Sequence, residues 1–499
     1  MNLSLFVIVP LITVILILFS KDIKQTRIIA AIGMSIQLIL SAILIVLYVN
    51  LRNHGVTDQF VFLKHIAWFK SLNFNFIMGV DGISVALIAL TSIVIFAGVF
   101  ASWKMEDLHR EFFISLIVLA SGVFGFFITI DMFAMFAFYE LAVIPMYILI
   151  GIWGTGRKEY SAMKLTLMLM GGSALIIVGM LGLYFNSGVQ GGALSMNLMD
   201  LSKVHFPKEV QLFLFPFLFI GFGVLGALFP LHTWSPDGHA SAPTAVSMLH
   251  AGVLMKLGSY GVFRIAIYLL PEAAKQMGSF FMILATIGIV YGALGAIMQK
   301  DLKYINAYSS VSHCGLILFG LLMLNKTAMD GAILQMISHG IMTALFFALI
   351  GMIYGRTHTR MIHEMGGLLR IIPFLGACYI IAGLASLGLP GFSGFVAEML
   401  VFFGSFQHAD TFHRVLTILA ASSIVITAVY ILRVIGIFLL GPVKNEHHLA
   451  LKDATWWEKL SVGTLILFIT LIGFYPYFLT DNLIGKSLEP ILQKILMFN

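Results

Sequence analysis

Residues 245–261 read AVSMLHAGVLMKLGSYG, an apolar run that contains His250 and Lys256. A lysine at the centre of a bilayer helix costs roughly 2.5–3.5 kcal/mol to insert. Lys256 has about a dozen residues of predicted helix on either side, which is too deep for its ammonium to reach the membrane surface easily. The stretch therefore predicts a membrane helix whose buried cation has a role that offsets its cost.

The composition indicates a membrane protein. Hydrophobic residues make up 60% of the chain and charged residues only 10%, whereas a soluble chain usually carries about 25% charged residues. A water-soluble globule is therefore excluded. The first apolar segment, LSLFVIVPLITVILILF (3–19), follows no basic region and precedes no small-residue cleavage site, which predicts a retained membrane helix instead of a signal peptide.

Apolar runs of about 17–25 residues, the length that crosses a bilayer, recur along the chain. They predict an all-α polytopic fold of about fourteen transmembrane helices, near 3–19, 28–49, 79–101, 112–130, 132–152, 165–185, 211–230, 243–270, 279–298, 306–324, 330–354, 371–406, 412–440 and 457–478. The longest polar stretches, near 50–78 and 186–210, are predicted to be external loops. We expect a single membrane domain, 1–499, made of N-terminal helices (1–111), a first inverted repeat (112–270), a second inverted repeat (279–440), and a C-terminal helix with a tail (441–499).

Pro and Gly interrupt the apolar runs at two places. These are PLHTWSPDGHASAP (230–243) and LGLPGFSGF (387–395), in comparable positions of two five-helix blocks. Paired discontinuous helices are typical of inverted-repeat transporters with a site near the middle of the bilayer. The alternative is an ordinary loop between helices. At the second place the run 371–406 is too long for one crossing, which favours a broken helix, whereas both interpretations stay open at the first.

The basic residues predict an orientation and not a nucleic-acid partner. The net charge is +6, but the Lys and Arg residues are scattered over short loops, which suits topology control and anionic lipid better. Clusters such as Lys21, Lys24 and Arg27 make the cytoplasmic side the more basic one when the N-terminus is placed outside. An even number of helices then returns the C-terminus to the outside.

The cysteine inventory limits the chemistry. The two cysteines, Cys314 and Cys378, are far apart and form no CxxC motif. They cannot assemble an iron–sulfur, zinc or c-type haem site. Any redox chemistry is therefore expected on another chain.

Six titratable side chains lie deep inside the predicted spans, roughly one per helix: Glu140, His250, Lys256, His313, His339 and Glu398. No two of them have a metal-ligand spacing such as HExxH, so metal-assisted hydrolysis is not expected. Carboxylates, lysines and histidines in a bundle interior are typical of proton pathways, and histidine titrates near neutral pH. The set predicts a proton relay.

Structural alternatives exist for these residues. Glu140, five residues before the helix-kinking Pro145, could be a carboxylate at a helix end paired with a basic loop residue. Lys256 could form a structural ion pair, and each histidine could be a hydrogen-bonded core residue. Glu398 could cap the half-helix after the break, where a carboxylate is favoured by roughly 0.3–1 kcal/mol.

The motifs around these residues, in this order, resemble the antiporter-like subunits of respiratory complex I. The motifs are FYELAVIPMYILIGIWG, PLHTWSPDGHASAPTAVSMLHAGVLMKLGSYG, AYSSVSHCG, ISHG and GLPGFSGFVAEM, and the resemblance covers most of the chain, about 80–480. It implies fourteen helices with two inverted five-helix repeats and broken helices seven and twelve. Each such subunit is taken to move protons while quinone is reduced in another part of the complex.

The resemblance also assigns residues. Glu140 matches the helix-five glutamate of the family and Lys256 its helix-eight lysine, and His313 and His339 match its central histidines. Glu398 matches the helix-twelve glutamate of the M-type chains, where the L- and N-type relatives carry lysine. This last match favours the M-type chains of NADH–quinone oxidoreductase, also over the Mrp sodium/proton antiporter chains.

One position departs from the family. The helix-seven lysine that pairs with the helix-five glutamate is replaced by Leu225 in FGVLGALFPLH, and no lysine lies between Lys208 and Lys256. We therefore expect Glu140 to lack its usual cationic partner. His250 stands where M-type chains usually have an apolar residue, about 9 Å along the helix from Lys256 and on a different face. The hypothesis is that His250 takes over part of the missing lysine's role.

The expected function is proton translocation as a subunit of a proton-pumping NADH–quinone oxidoreductase, with Lys256 as the switch between an input and an output half. The resemblance implies FMN, iron–sulfur clusters and quinone in the parent complex, and no cofactor or metal in this chain. It implies L-, N- and K-type membrane chains and lipid as partners, no nucleic acid, and the bacterial inner membrane as location. Alternatives are an Mrp-like cation/proton antiporter or membrane hydrogenase subunit, and a complex I subunit that no longer pumps and acts as a spacer.

Overall fold

The computed structural model describes residues 1–69, 74–188 and 193–496, and its regular structure is mostly helical. The longer helices are α1 (Leu5–Leu18), α2 (Ile23–Asn53), α3 (Gly82–Ala101), α4 (His109–Ile128), α5 (Met132–Trp153), α6 (Lys158–Asn186), α8 (Lys208–Leu225), α12 (Pro271–Met298), α13 (Leu302–Leu322), α14 (Lys326–Thr357), α16 (Pro373–Ser386), α17 (Ser393–Phe406), α18 (Thr411–Val434) and α19 (Trp456–Phe474). The shorter ones are α7 (Leu198–Leu201), α9 (Trp234–Ser241), α10 (Thr244–Leu249), α11 (Met255–Gly261), α15 (Leu368–Ile371), α20 (Tyr477–Leu479) and α21 (Lys486–Leu496). π segments span His250–Leu254, Val262–Ile267, Ile435–Leu440 and Thr480–Gly485, and short 3-10 turns span Ile362–Glu364 and Glu446–Ala450.

The described residues contain eleven helices that are long and apolar enough to cross a membrane. The helices α1, α16 and α17 are apolar but have only 14 residues each, and the segment that begins with α10 is divided by two π segments. The predicted multi-pass helical fold is therefore confirmed. The count of about fourteen crossings stays a prediction.

The first predicted break lies between α8 and α9. α8 ends at Leu225 and α9 begins at Trp234. In between, Ala227 has a φ of 56° and the Phe229–Pro230 peptide bond is cis. The apolar run is a broken helix, and α9, after the break, is almost wholly buried.

The second predicted break lies between α16 and α17. α16 ends at Ser386 and α17 begins at Ser393, and between them Gly388 and Gly391 have φ values of 64° and 98°. Glycine adopts this region without the steric cost of a Cβ atom. The interruption by GLPGFSG is therefore confirmed as a helix break.

One helix-pair contact occurs twice in the chain. Gly122 of α4 lies so close to α5 that an added Cβ would be 2.7 Å from the backbone N of Ala142. Gly292 of α12 lies against α13 in the same way, where an added Cβ would be 2.6 Å from the backbone N of Ser312. The two pairs have the same sequence offset (122 to 292, 142 to 312). This repetition fits two related units, and the intervals 112–270 and 279–440 stay a prediction.

A β-hairpin lies in the stretch near 50–78, for which the sequence predicts a polar loop. β1 (Val61–Phe69) and β2 (Phe74–Val80) pair antiparallel, with Val61 opposite Val80. The exposed Lys64 and His65 interrupt the apolar residues of β1, which is why its nine residues carry neither a membrane nor a clear strand pattern. Residues 70–73, and residues 189–192 of the second predicted loop, lie outside the described residues.

The C-terminal interval 441–499 contains α19 and the amphipathic helix α21. Leu488, Ile491 and Ile495 of α21 are buried, and Ser487 Oγ accepts a hydrogen bond from the backbone N–H of Gly82 at 2.8 Å. The helix thus fastens the end of the chain to the start of α3. Residues 497–499 of the predicted tail lie outside the described residues.

A buried ion pair joins the start of α3 to the π segment Val262–Ile267. Arg264 Nη2 donates to Asp81 Oδ2, and the two side chains are 1% and 0% exposed. The guanidinium lies 5.3 Å from the ring centre of Tyr260, and Asp81 caps α3 by accepting from the backbone N–H of Ser84 at 2.9 Å. The pair is absent from the predicted set of buried charges because both residues lie near the ends of their predicted spans.

Candidate functional site

Lys256 lies directly after a π segment. The widened turn spans His250–Leu254, and Lys256 Nζ donates to the carbonyl of Ala251 at 2.5 Å. π turns are rare and often occur at functional sites. The side chain is fully buried and its Nζ lies 2.8 Å from His339 Nδ1. Across the described ranges, no carboxylate forms an ion pair with Lys256, so one carbonyl and one imidazole hold it.

His339, His313 and Glu398 continue from Lys256 as a row of buried side chains on α14, α13 and α17. The ring centres of His339 and His313 are 5.2 Å apart. His313 Nδ1 lies 3.4 Å from Glu398 Oε1 and 3.2 Å from Gln335 Nε2. Four of the six predicted residues, from four different helices, therefore lie side by side.

Glu398 faces the break between α16 and α17. An added Cβ at Gly388 would lie 2.9 Å from Glu398 Oε2, so the glycine leaves room for the carboxylate. With His313 and Thr427, among others, Glu398 lines a cavity of about 10 Å³, roughly the volume that one water molecule needs. The contact that the Glu398 carboxylate makes in the described residues is with His313, and no hydrogen bond joins it there to a backbone N–H at the start of α17.

His250 packs toward α9, away from the row. Its ring centre lies 5.1 Å from that of Trp234 and 4.3 Å from that of His239. Both histidines are fully buried, and their four ring nitrogens have no hydrogen-bond partner among the described residues. Buried polar groups are normally hydrogen-bonded, which makes this pair a candidate contact for water inside the bundle.

The environment of α9 holds two groups that are absent from the predicted set, His239 and Lys303. Lys303 is 5% exposed and donates from Nζ to the carbonyl of Ala242 at 2.5 Å. His239 is not among the titratable groups predicted inside apolar runs because it belongs to the interruption PLHTWSPDGHASAP. Lys303 is not among them because it lies just before the predicted span 306–324. The signal that could have found them is a titratable residue inside or beside an interrupted helix.

One ion pair involves α9 itself and a second lies nearby, and both reach partly exposed positions. Lys164 Nζ lies 2.7 Å from Asp237 Oδ2, with both side chains about a quarter exposed. Arg360 Nη2 lies 3.1 Å from Asp301 Oδ2. The His239–His250 pair therefore lies between Lys256 and a charged, partly exposed end of the bundle.

Glu140 is separate from the other five residues. Ser173 of α6 donates a hydrogen bond to Glu140 Oε1, and no ion pair involving Glu140 occurs in the part of the chain that the structure describes. Leu225, at the position of the expected lysine, is fully buried at the end of α8. Gly172, next to Ser173, packs on α8, with an added Cβ 2.9 Å from the carbonyl of Gly221. The Ser173 hydroxyl of α6 thus donates a hydrogen bond to the Glu140 carboxylate, at a place where the resemblance leads us to expect a lysine.

Comparisons with known proteins agree on one family. A family model described as NADH:quinone oxidoreductase/Mrp antiporter, transmembrane, matches residues 129–432. NADH-quinone oxidoreductase subunit M of Rickettsia bellii is 32% identical over 499 residues, covering 98% of this chain and 98% of that protein. NADH-quinone oxidoreductase subunit M of Rhodobacter capsulatus is 35% identical over 445 residues, covering 87% of this chain and 84% of that protein.

Solved structures show the same fold at lower identity. A chain of respiratory complex I from Thermus thermophilus matches with a TM-score of 0.88 and 24% identity, covering 99% of both chains. A chain of the Mrp complex from Dietzia sp. matches with a TM-score of 0.83 and 18% identity, again covering 99% of both. At these identities the likeness concerns the fold alone.

Proposed function

The chain belongs to the NADH:quinone oxidoreductase/Mrp antiporter family of membrane subunits, and from that premise we propose that it moves protons across the membrane as an M-type subunit of an NADH–quinone oxidoreductase. Relatives that cover most of the chain are named subunit M of that enzyme. Quinone reduction takes place in other subunits. This chain contributes the buried groups that exchange protons.

The observation that carries the proposal is the contact from Lys256 through His339 and His313 to Glu398. The first step is a hydrogen bond of 2.8 Å, and the last is a contact of 3.4 Å between an imidazole and a carboxylate. An imidazole can accept a proton at one nitrogen and release one from the other. The Nε2 atoms of both histidines are buried without a partner among the described residues, so a water molecule can bridge the two rings.

Lys256 is the central group of the proposed relay. With the predicted orientation, the end of α17 beyond Glu398 faces the outside, so His339, His313 and Glu398 form the output half. The input half runs from the charged groups around α9 through His239 and His250. No direct bond in the described residues joins Glu140, on α5, to the other five residues. Any effect of Glu140 on the input half must therefore pass through its hydrogen bond to Ser173 of α6 or through water.

The experiment that tests this function replaces Glu398 by glutamine in the assembled complex. Glu398→Gln keeps the size of the side chain and its place beside Gly388, but the amide cannot take up and release a proton. We expect proton pumping in proteoliposomes to fall by about 10-fold or more, since a positioned acid–base group contributes about 10²–10⁴-fold to a proton-transfer step. Pumping is measured by a pH-sensitive dye during NADH-driven quinone reduction.

A matched control is Glu489→Gln, which changes an exposed glutamate on α21 and should leave the ratio of protons to electrons unchanged. If Glu398→Gln also left this ratio unchanged, the chain would be a spacer that does not pump. If Glu398→Gln lowered proton pumping only when sodium was present as the counter-ion, the Mrp-like cation/proton exchange would be the better account.

The role of His250 is tested by His250→Phe and His250→Ala. Phenylalanine keeps the ring that stacks on Trp234 and His239 but cannot carry a proton, whereas alanine removes both. We expect both variants to lower coupled proton pumping severalfold, because the proposed route from α9 to Lys256 then lacks the imidazole that follows His239. Full pumping in His250→Phe with loss in His250→Ala would show that His250 only packs, and full pumping in both would remove it from the relay.

The remaining assignments follow from the family. We propose that the chain is a multi-pass protein of the bacterial inner membrane and that it assembles with L-, N- and K-type membrane subunits. The parent complex supplies FMN, iron–sulfur clusters and the quinone site. The Mrp-type fold match is compatible with a cation/proton antiporter, but the relatives from Rickettsia bellii and Rhodobacter capsulatus, at 32% and 35% identity, are NADH-quinone oxidoreductase chains, which favours the first function.

A further inference from the structure

The connection between α17 and α18 and the first turn of α18 carry three side chains that suit a metal ion. They are His408, Asp410 and His413, in the sequence HADTFH. Each offers one nitrogen or oxygen ligand atom, and these atoms lie within 4.8 Å of one another. His408 and Asp410 lie between the predicted spans 371–406 and 412–440, and His413 is the second residue of the latter, so none of the three belongs to the set of titratable groups deep inside the apolar runs.

Helix capping explains only some of the contacts among these three side chains. Asp410 is the N-cap of α18 and its Oδ2 accepts from the backbone N–H of His413 at 3.1 Å. Its two oxygens also lie 2.8 and 2.7 Å from His413 Nδ1. The ring of His408 stacks on that of His413 with centres 4.2 Å apart, and capping gives no reason for this second imidazole.

We propose that His408, Asp410 and His413 form a binding site for a divalent transition metal of the zinc class. Two imidazoles and one carboxylate are typical ligands of Zn²⁺, which leaves a fourth position for water. Ligand atoms at about 2.0–2.2 Å from a tetrahedral ion lie about 3.4 Å apart. Separations near the upper limit of 4.8 Å must therefore shorten by about 1.4 Å, and the contact of 2.7 Å between Asp410 and His413 must lengthen. Asp410 is half exposed and can rotate to allow both changes.

His408 is held in place by groups on another part of the fold. Its Nε2 lies 2.9 Å from the carbonyl of Met323 and 3.2 Å from Asn325 Nδ2; in the tautomer that donates to Met323, Nδ1 is the ligand atom. A backbone carbonyl that accepts from the non-ligating nitrogen is the usual orienting partner of a metal-bound histidine. Asn325 Nδ2 also donates to the carbonyl of Gly404 at 2.8 Å. A bound ion would therefore tie the ends of α17 and α18 to the α13–α14 connection.

The site is accessible from one side. His408 and His413 line a cavity of about 290 Å³ together with Lys275, Ser279 and Met282 of α12. This volume admits a hydrated ion and leaves room for the water at its fourth position. Because α17 also carries Glu398, an ion here would hold the outer piece of the broken helix, a consequence that rests on the proposed function, whereas the binding itself does not.

The test measures zinc bound to the purified whole complex by equilibrium dialysis with elemental analysis. Asp410→Asn keeps the helix cap, since asparagine caps as well as aspartate, and removes the anionic ligand; His413→Gln removes one imidazole. We expect the wild-type complex to bind one ion more than either variant, or each variant to bind that ion about 10-fold more weakly or worse. The control His447→Gln removes another surface histidine and should bind as the wild type does.

The outcome of the zinc measurement is independent of pumping. Equal stoichiometry and equal affinity in the wild type, Asp410→Asn and His413→Gln would overturn the proposal. X-ray absorption at the zinc edge provides a second readout, because loss of one imidazole scatterer in His413→Gln identifies the ligand set. A zinc spectrum that is unchanged in both variants would equally overturn it.

Discussion

Replacing Lys256 by methionine or alanine is expected to reduce coupled proton pumping and quinone reductase turnover by about 100-fold or more, because a proton-transfer group contributes about 10²–10⁴-fold to its step. Among the described residues, the Lys256 ammonium is the charged group that lies within hydrogen-bond distance of His339, at 2.8 Å. Without it the His339–His313–Glu398 row loses the cation that contacts its inner end. Lys256→Met keeps most of the volume and so separates loss of the proton carrier from loss of packing.

The control for Lys256 is another largely buried lysine that donates to a backbone carbonyl. Lys494 Nζ donates to the carbonyl of Ser202 at 2.7 Å, and burial lowers the pKa of this lysine to about 8. It lies on α21, outside the proposed relay, so Lys494→Met should leave turnover unchanged. Turnover and pumping per electron are measured in proteoliposomes after confirming that each complex is assembled. Normal pumping in Lys256→Met would remove the lysine from the proton path.

The two halves of the chain use the same helix contact with different chemistry. The offset that relates Gly122 to Gly292 also relates Glu140 to Ser310 and Ser173 to Thr343. Ser173 donates to Glu140 in the first half, and Ser310 and Thr343 are 3.0 Å apart in the second. The carboxylate of the first half is thus replaced by a hydroxyl in the second.

The second half compensates with titratable groups at other positions of the same helices. His313 lies one turn after Ser310 on α13, and His339 lies one turn before Thr343 on α14. Together with Glu398, these two histidines form the row of buried side chains described above. The two helix pairs therefore differ in their titratable groups: a carboxylate meets a hydroxyl in the first, and two imidazoles lie beside the hydroxyl pair in the second.

The fold could be predicted from the sequence because lipid imposes a simple rule. Every backbone group in the bilayer must be bonded within its own helix, so apolar runs such as 132–152 correspond closely to α5 (Met132–Trp153). The break at Gly388 and Gly391 is visible in the sequence for a related reason, since glycine and proline both weaken the interior of a helix. The hairpin of β1 and β2 is not visible there, because two short strands, of nine and seven residues, are not bound by this rule.

The members of the site could be predicted, but their connections could not. Lys256, His313, His339 and Glu398 are conspicuous as titratable residues in apolar runs, yet their contact depends on how four helices pack. His239 and Lys303 are inconspicuous because they lie in or beside interrupted segments, where polarity is expected of a loop. His408 and His413 are brought together by a turn of a few residues, a distance at which helical periodicity carries no information.

The second large effect is expected at the buried pair of Asp81 and Arg264. Removing one partner of a buried ion pair leaves an uncompensated charge and costs about 3–5 kcal/mol. Asp81→Asn keeps the cap on α3, because asparagine also accepts from the Ser84 N–H, and removes only the negative charge. We therefore expect Asp81→Asn to lower the apparent melting temperature of the complex and the amount of this subunit that assembles.

Replacing both partners separates the charge from the packing. The double variant Asp81→Asn with Arg264→Met removes the unpaired cation and keeps much of the stem that packs against Tyr260 and Phe60. Because a buried pair can be replaced by apolar groups of similar volume with little loss, assembly should recover most of what Asp81→Asn alone loses. Melting temperature, measured on wild type, both single variants and the double variant, gives the coupling between the two sites. Additive losses would mean that the pair contributes no net interaction, and that the connection of α3 to the helix of Lys256 depends on packing alone.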